Sequence, residues 1–217
     1  MAKPGAILRE PMFCSARNER CSDSNDSYEN SSGVANVTPS MSMPLHIRNL
    51  GPEDAEAWAV LRREALERYP LAFGATLRDV GQLAEMVRER LASPEYSAVF
   101  GAFDAASLVG IVGIVREERT KERHKSVIWG MYVTPQHRRR GVGESLLHAA
   151  IRQAQTWKGV EQVSLSVTET APEAKRLYER NGFQLWGREP RALHWEGRYV
   201  DEIHMVLELG KNGTGDV

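Results

Sequence analysis

Residues 132–143 read Tyr132-Val133-Thr134-Pro135-Gln136-His137-Arg138-Arg139-Arg140-Gly141-Val142-Gly143. An apolar run closes at a proline. Three arginines follow, then two spaced glycines, and then a helical pattern starts. The physical reading of this order is an anion site. The first turn of a helix has backbone N–H groups without intrahelical partners. Aligned peptide dipoles place partial positive charge at the same end. Gly141 and Gly143 remove side chains, so a phosphate can come close to the backbone. Arg138, Arg139 and Arg140 add formal charge and donors. An arginine run alone is more often a solvated turn or a nucleic-acid patch, and spaced glycines alone can be a flexible turn. The placement ahead of an amphipathic helix favours phosphate. Gly143 inside a helix costs about 1 kcal/mol relative to Ala, which ligand approach would explain.

The pattern on either side sets the fold class. Downstream, Val142, Leu146, Ala150 and Ala154 line one helix face from Gly141 to Trp157, with Leu147 and Ile151 beside it. Such a stripe can cover a sheet. Upstream, Lys125 to Thr134 reads as a strand, preceded by strands over Tyr96–Phe103 and Ser107–Arg116. Asp104 to Ser107 joins the last two as a hairpin, so these strands form an antiparallel meander. Earlier still, Leu45–Leu50 alternates as a strand, and Ala55–Leu66 and Val80–Leu91 read as helices around a loop, Pro70 to Leu77. Beyond the central helix, Gln162–Val167 reads as a strand parallel to the one before Arg138. A helix over Ala171–Arg180 follows, with Thr170 and Glu173 at capping-box spacing and Asn181-Gly182 ending it. Phe183–Trp186 and Tyr199–Leu209 are the last strands expected. The result is an α+β fold: one mixed, mostly antiparallel sheet of about seven strands with a parallel central pair, flanked by about four helices. The domain spans 44–210. Residues 1–43, with CSDSNDSYENSS at 21–32, are too polar to fold and read as a disordered tail; 211–217 read as a flexible end.

Arg138-x-x-Gly141-x-Gly143 fits the Gln/Arg-x-x-Gly-x-Gly/Ala signature of the GNAT superfamily of N-acetyltransferases. Leu177-Tyr178-Glu179-Arg180-Asn181-Gly182-Phe183 resembles that family's Leu-Tyr-x-x-x-Gly-Phe ending, and Met131-Tyr132-Val133 and Pro135 sit where the family has a bulged fourth strand. The likeness covers roughly Leu45 to Leu209. It implies an acetyl-CoA-dependent N-acetyltransferase acting on a primary amine by direct attack in a ternary complex. It implies that the cofactor enters a V between the two parallel strands, and that its pantetheine arm pairs with backbone at Met131 and Val133, beside Tyr132. The pyrophosphate would rest on N–H groups from Arg139 to Glu144, so the side chains of Arg139, Arg140 and Val142 are free to vary. Tyr178 would protonate the leaving thiolate, against the plainer reading of a core residue. The family's strand carboxylate falls at Val127 and is absent, which leaves Glu117, Glu118, His124, Glu169 or a water relay to take the amine proton. Many members have an asparagine where Ala171 stands here, so one side-chain contact is removed. The alternative reading is a CoA-binding sensor or scaffold of the same fold without turnover.

Composition excludes little else. The chain has 217 residues, 41% hydrophobic and 26% charged, with a net charge of −1, so no global basic field favours nucleic acid. No apolar run is long enough for a membrane span, and no secretory h-region opens the chain. Cys14 and Cys21, far from any zinc spacing, read as free thiols of a cytoplasmic protein. His46, His148, His194 and His204 show no metal spacing, so no metal is expected. Trp129, Trp157, Trp186 and Trp195 read as packing residues, Trp195 with an option on a substrate pocket. The acceptor amine is expected between the 70–77 loop and Arg188–Arg198, where Arg188, Glu189, Arg191, Glu196 and Arg198 mix both charges. The oligomeric state stays open, a homodimer being one option.

Overall fold

Residues 45–210, the part of the chain that this computed structural model describes, run through seven strands and four α-helices. These are β1 (His46–Asn49), α1 (Ala55–Arg68), α2 (Val80–Leu91), β2 (Ser97–Asp104), β3 (Ser107–Arg116) and β4 (Lys125–Val133). Then come α3 (Val142–Thr156), β5 (Gln162–Thr168), α4 (Pro172–Arg180), β6 (Gln184–Trp195) and β7 (Arg198–Glu208). The expectations for 1–43 and 211–217, and for the thiols of Cys14 and Cys21, lie outside the described residues. The strands form one sheet in the order β1-β2-β3-β4-β5-β7-β6. All neighbours are antiparallel except β4 and β5. The α+β mixed sheet read from the pattern is therefore the fold.

Both faces of the central strands are covered, which is why SLVGIVGIVR reads as an apolar run rather than an alternation. On one face α3 and α4 set Leu146, Leu147, Ala150 and Leu177 against Ile114, Ile128, Met131 and Leu165. On the other, α1 and α2 set Trp58, Leu61, Leu83 and Val87 against Val99, Ile111, Trp129 and Tyr132. Trp129 needs room across the ladder. It faces Gly113 on β3, and a methyl group there would overlap its indole. Trp58 meets the same indole edge-on at 6.3 Å, and the Arg90 guanidinium lies 4.7 Å over it.

The parallel pair is short. β4 and β5 are in register only at Lys125–Gln162, Ser126–Val163 and Val127–Ser164. Beyond these residues the two strands part. A bulge bends β4 at this point: Ile111 faces Tyr132 and Gly113 faces Trp129, so Gly130 and Met131 together oppose Val112. Gly130 has φ +60, a conformation glycine adopts without a Cβ clash.

Two expectations are corrected. The strand expected at Phe183–Trp186 runs on to Trp195, so 188–195 is strand and not loop. No helix covers most of this edge hairpin, and both faces meet water, so no alternation marks it in sequence. A break between Glu189 and Leu193 puts extra residues at Pro190 and Arg191, the latter with φ 55. The Thr170–Glu173 capping box does not form either. Pro172 takes the first helical position, which suits its fixed φ, and moves the cap to Ala171 with no side-chain bond. Thr170 instead shares a 2.8 Å hydroxyl contact with Thr168.

Gly113→Ala is expected to lower stability by about 1–3 kcal/mol through overpacking against Trp129. A drop in thermal midpoint, with the far-UV spectrum kept, is the measurement that checks it.

Candidate functional site

The turn after β4 is held by its own residues. His137 N–H bonds the Thr134 carbonyl at 3.0 Å, and the His137 ring touches Thr134 Oγ1 at 2.8 Å and Asp104 Oδ2 at 3.0 Å. Arg139 (φ 60) and Gly141 (φ +77) are both left-handed. Gly141, at the N-cap, turns the chain from this loop into α3. The first helical bond of α3 runs from Ser145 N–H to the Gly141 carbonyl at 2.9 Å. The amides of Val142, Gly143 and Glu144 lie ahead of it, and no side chain caps the helix. Gly141 faces open space, with no atom within 4 Å of where a side chain would start. Gly143 has a different reason. A methyl group there would sit 3.3 Å from Met131 Cε and 3.5 Å from Leu177 Cδ2, so its small size serves the contact of α3 with β4 and α4.

A cleft of about 420 Å³ opens in front of these amides. Arg139, Gly141, Val142, Gly143 and Glu144 form one wall, with Val133 and Arg138 beside them. Glu173, Arg176, Leu177 and Arg180 of α4 form the other. The edge of β4 leads into it. Thr134 N–H bonds Val109 of β3 at 2.9 Å, and backbone groups alternate in direction along a strand. The polar groups of Met131 and Val133 therefore face the other way, toward the gap left by β5.

Seven of the ten residues read as cofactor ligands thus line one cleft. The other three do not. Arg140 is exposed outside it. Met131 and Tyr132 are fully buried, and only their backbone reaches the strand edge. The Tyr132 hydroxyl donates to Glu64 Oε1 at 2.9 Å, and burial together with that bond raises its pKa. Arg138 lines the cleft, but its Nε donates to the Val133 carbonyl at 2.9 Å. Its guanidinium stacks 4.8 Å from the Tyr69 ring and 5.7 Å from that of Tyr132. It ties the loop to the end of α1.

Tyr178 is buried, packs edge-on against Phe183 at 5.8 Å, and donates to Met131 Sδ at 3.7 Å. Burial pushes its pKa up, so the phenol keeps its proton. It stands behind the α4 wall, not on it. The residues considered as bases are scattered. Val127 is buried in the α1–α2 core. Glu117 is buried at the end of β3, and its N–H bonds the Lys125 carbonyl at 3.0 Å. Glu118 is exposed, and the His124 carbonyl accepts from Glu161 N–H at 2.8 Å at the closed end of the strand pair. Glu169 accepts from Arg188 Nη2 at 2.9 Å. None of them lines the cleft.

The two acceptor segments are structured. Phe73 of the 70–77 loop is buried under the Arg62 guanidinium, 4.3 Å from the ring. Across the hairpin, Asp201 accepts from Arg191 N–H and Arg188 Nε, both at 2.7 Å; the first bond, then the second, lower its pKa. Trp195 sits half-exposed beside the hairpin turn. Sequence reasoning missed the α4 wall. Its signal was present, since Arg176 and Arg180 lie one helical turn apart on the same face. It also missed Glu189, Glu202 and His204, whose ligand atoms lie within 4.8 Å of one another, because a hairpin brings them together.

Comparison with known proteins agrees with this geometry. Residues 58–183 match the model of the acetyltransferase (GNAT) family. The chain is 27% identical over 122 residues to the L-amino acid N-acetyltransferase AaaT of Escherichia coli, a match covering 56% of this chain and 74% of that protein. An acetyltransferase of the GNAT family from Streptococcus pneumoniae superposes with a TM-score of 0.66 at 26% identity, over 76% of this chain and 99% of that one. A putative acetyltransferase from Salmonella typhimurium, solved with its cofactor acetyl-CoA, shares the fold with a TM-score of 0.66 at 21% identity, over 80% of this chain and 98% of that one. A splayed strand pair, an uncapped helix start and a family model spanning more than half of the sequence lead to one conclusion: the chain belongs to the GNAT acetyltransferase family.

Proposed function

We propose that this chain transfers the acetyl group of acetyl-CoA to a primary amine, by direct attack in a ternary complex. The observation that carries the reading is the uncapped start of α3 standing at the open edge of β4. The residues fit such a cosubstrate. No side chain caps α3, Gly141 leaves the approach clear, and arginines border the cleft. A diphosphate on those amides lets an extended arm add to the strand edge at Met131 and Val133. A relative that acts on amino acids and a fold neighbour solved with acetyl-CoA support the same chemistry.

In the proposed reaction the neutral amine attacks the thioester carbonyl carbon, and the C–S bond breaks. The carbonyl oxygen gains charge beside the strand edge, where the backbone N–H of Met131 or Val133 stabilises it. The Val133 carbonyl already accepts from Arg138 Nε at 2.9 Å. The amine proton leaves through water. The sulfur takes its proton from Tyr178, whose phenol, buried against Met131 Sδ beside the strand edge, turns from that contact to give it and is reprotonated through water. Most of the acceleration comes from holding amine and thioester together.

Three outcomes are expected. Thiol release from acetyl-CoA should rise with at least one member of an amine panel of amino acids, peptides, polyamines and aminoglycosides; uptake of CoA without release across the panel would favour a sensor. Gly141→Glu should abolish CoA uptake in calorimetry. Gly141→Ala, with the same left-handed strain of about 1–2 kcal/mol but no carboxylate, should keep it. Tyr178→Phe should slow turnover by about a hundredfold with CoA affinity little changed, and unaltered turnover would remove Tyr178 from the mechanism.

A further inference from the structure

The β6–β7 hairpin carries a group of side chains that the cleft does not use. Glu189, Glu202 and His204 each offer one ligand atom, and these atoms all lie within 4.8 Å of one another. The ladder places them. Glu202 and His204 are two residues apart on β7, so they share a face of the sheet. The alternate residues Ile203, Met205 and Leu207 point into the α3–α4 core, which puts the group on the opposite face. On β6, Glu189 stands directly across from Glu202, and Gly187 stands across from His204. Gly187 puts no side chain over the imidazole, and the Trp186 ring lies 5.3 Å from it. None of the three residues lines the cleft.

Two features set this group apart from surface carboxylates. Like charges directly opposite in a ladder destabilise it, and a cation between them reverses the sign. Glu202 is also buried, 6% exposed, where ionised side chains are paired or coordinate metals. Arg188, next to Glu189 on β6, points to the other face, where Asp201 and Glu169 hold it at 2.7 and 2.9 Å. The distances suit a small ion. His204 Nε2 lies 3.3 Å from Glu189 Oε2. Donors about 2.0–2.2 Å from a tetrahedral zinc ion stand roughly 3.3–3.6 Å from one another, so one edge of the polyhedron is already set. Rotation of the carboxylates closes the rest. One imidazole and two carboxylates suit a borderline divalent ion, whereas calcium and magnesium take oxygen ligands.

We propose that Glu189, Glu202 and His204 form a site for a divalent transition-metal ion of the zinc type, on the sheet face away from α3 and α4. Three protein donors leave a fourth position, which water fills. The ion takes the place of the proton in the hydrogen bond between His204 Nε2 and Glu189, and that proton leaves to solvent. Bound there, the ion joins the edge strand β6 to β7 just ahead of the break between Glu189 and Leu193. No metal spacing shows in the sequence, because one strand supplies a single ligand and the other supplies two.

Calorimetry of the full, untagged chain with Zn(II) tests this. The unaltered chain should take up one equivalent, and its thermal midpoint should rise. E189Q and H204Q should each weaken uptake by more than about a hundredfold, since losing even an outer-shell partner of a metal site costs about 10–100-fold. Glu189 is exposed, so E189Q tests the site without disturbing the core. The variant C14S/C21S should bind as the unaltered chain does; loss of uptake there would assign the ion to the thiols and overturn the site. Uptake retained by either E189Q or H204Q would mean an adventitious ion only and overturn it too. So would tighter uptake of Mg(II) or Ca(II) than of Zn(II), or no uptake of Zn(II) by the unaltered chain, an arm that needs no variant to fold. Each of these failures leaves the acetyl-CoA reading standing, because that reading uses none of the three residues.

Discussion

β4 and β5 are paired only over Lys125–Val127 and Gln162–Ser164, and their parting beyond these residues is the constraint on which the site is built. A parallel pair continued to its end would cover the polar edge of β4. The bulge at Gly130 and Met131 turns β4 away and exposes that edge. A strand edge inside a protein is normally a liability. Here it lies next to an uncapped helix start, so two sets of unsatisfied backbone donors face one opening.

The surrounding packing keeps that opening in place. α3 can lie close to β4 because Gly143 gives way to Met131 and Leu177. Arg138 bonds the Val133 carbonyl and lies over the adjacent rings of Tyr69 and Tyr132, and the Tyr132 hydroxyl reaches Glu64. The phosphate-side loop is thus linked to α1 and, through Tyr69, to the loop that opens at Pro70. The same arginine that reads as a phosphate ligand in the sequence is a strut between the loop after β4 and the end of α1. Tyr178 is tied to Met131 in a similar way, so the buried phenol packs against the bulged strand.

Much of this was legible before any coordinates. Val142, Leu146, Ala150 and Ala154 repeat at helical spacing and were bound to cover a sheet. SLVGIVGIVR and KSVIWGMYV, buried on both faces, announced central strands. The Gly141–Gly143 spacing located the uncapped helix start. The extension of β6 beyond Trp186 was not legible, because it is a polar edge strand whose exposed faces impose no period. Arg176 and Arg180 were visible as a pair on one helix face, but nothing in the chain says that the face looks across at Arg139.

The sequence by itself determined the order of elements, the family and the place of the uncapped helix start after β4, because these depend on local periodicity, turn chemistry and a helix start. Only the tertiary structure decided which groups are already engaged. Arg138 is bonded to its own strand, Glu169 is held by Arg188 and Tyr178 is buried against Met131, while Arg139, Arg176 and Arg180 line one cleft and form no ion pair among the described residues. The physical reason is that pairing, burial and convergence are properties of residues far apart in the chain, and a one-dimensional pattern carries no record of them.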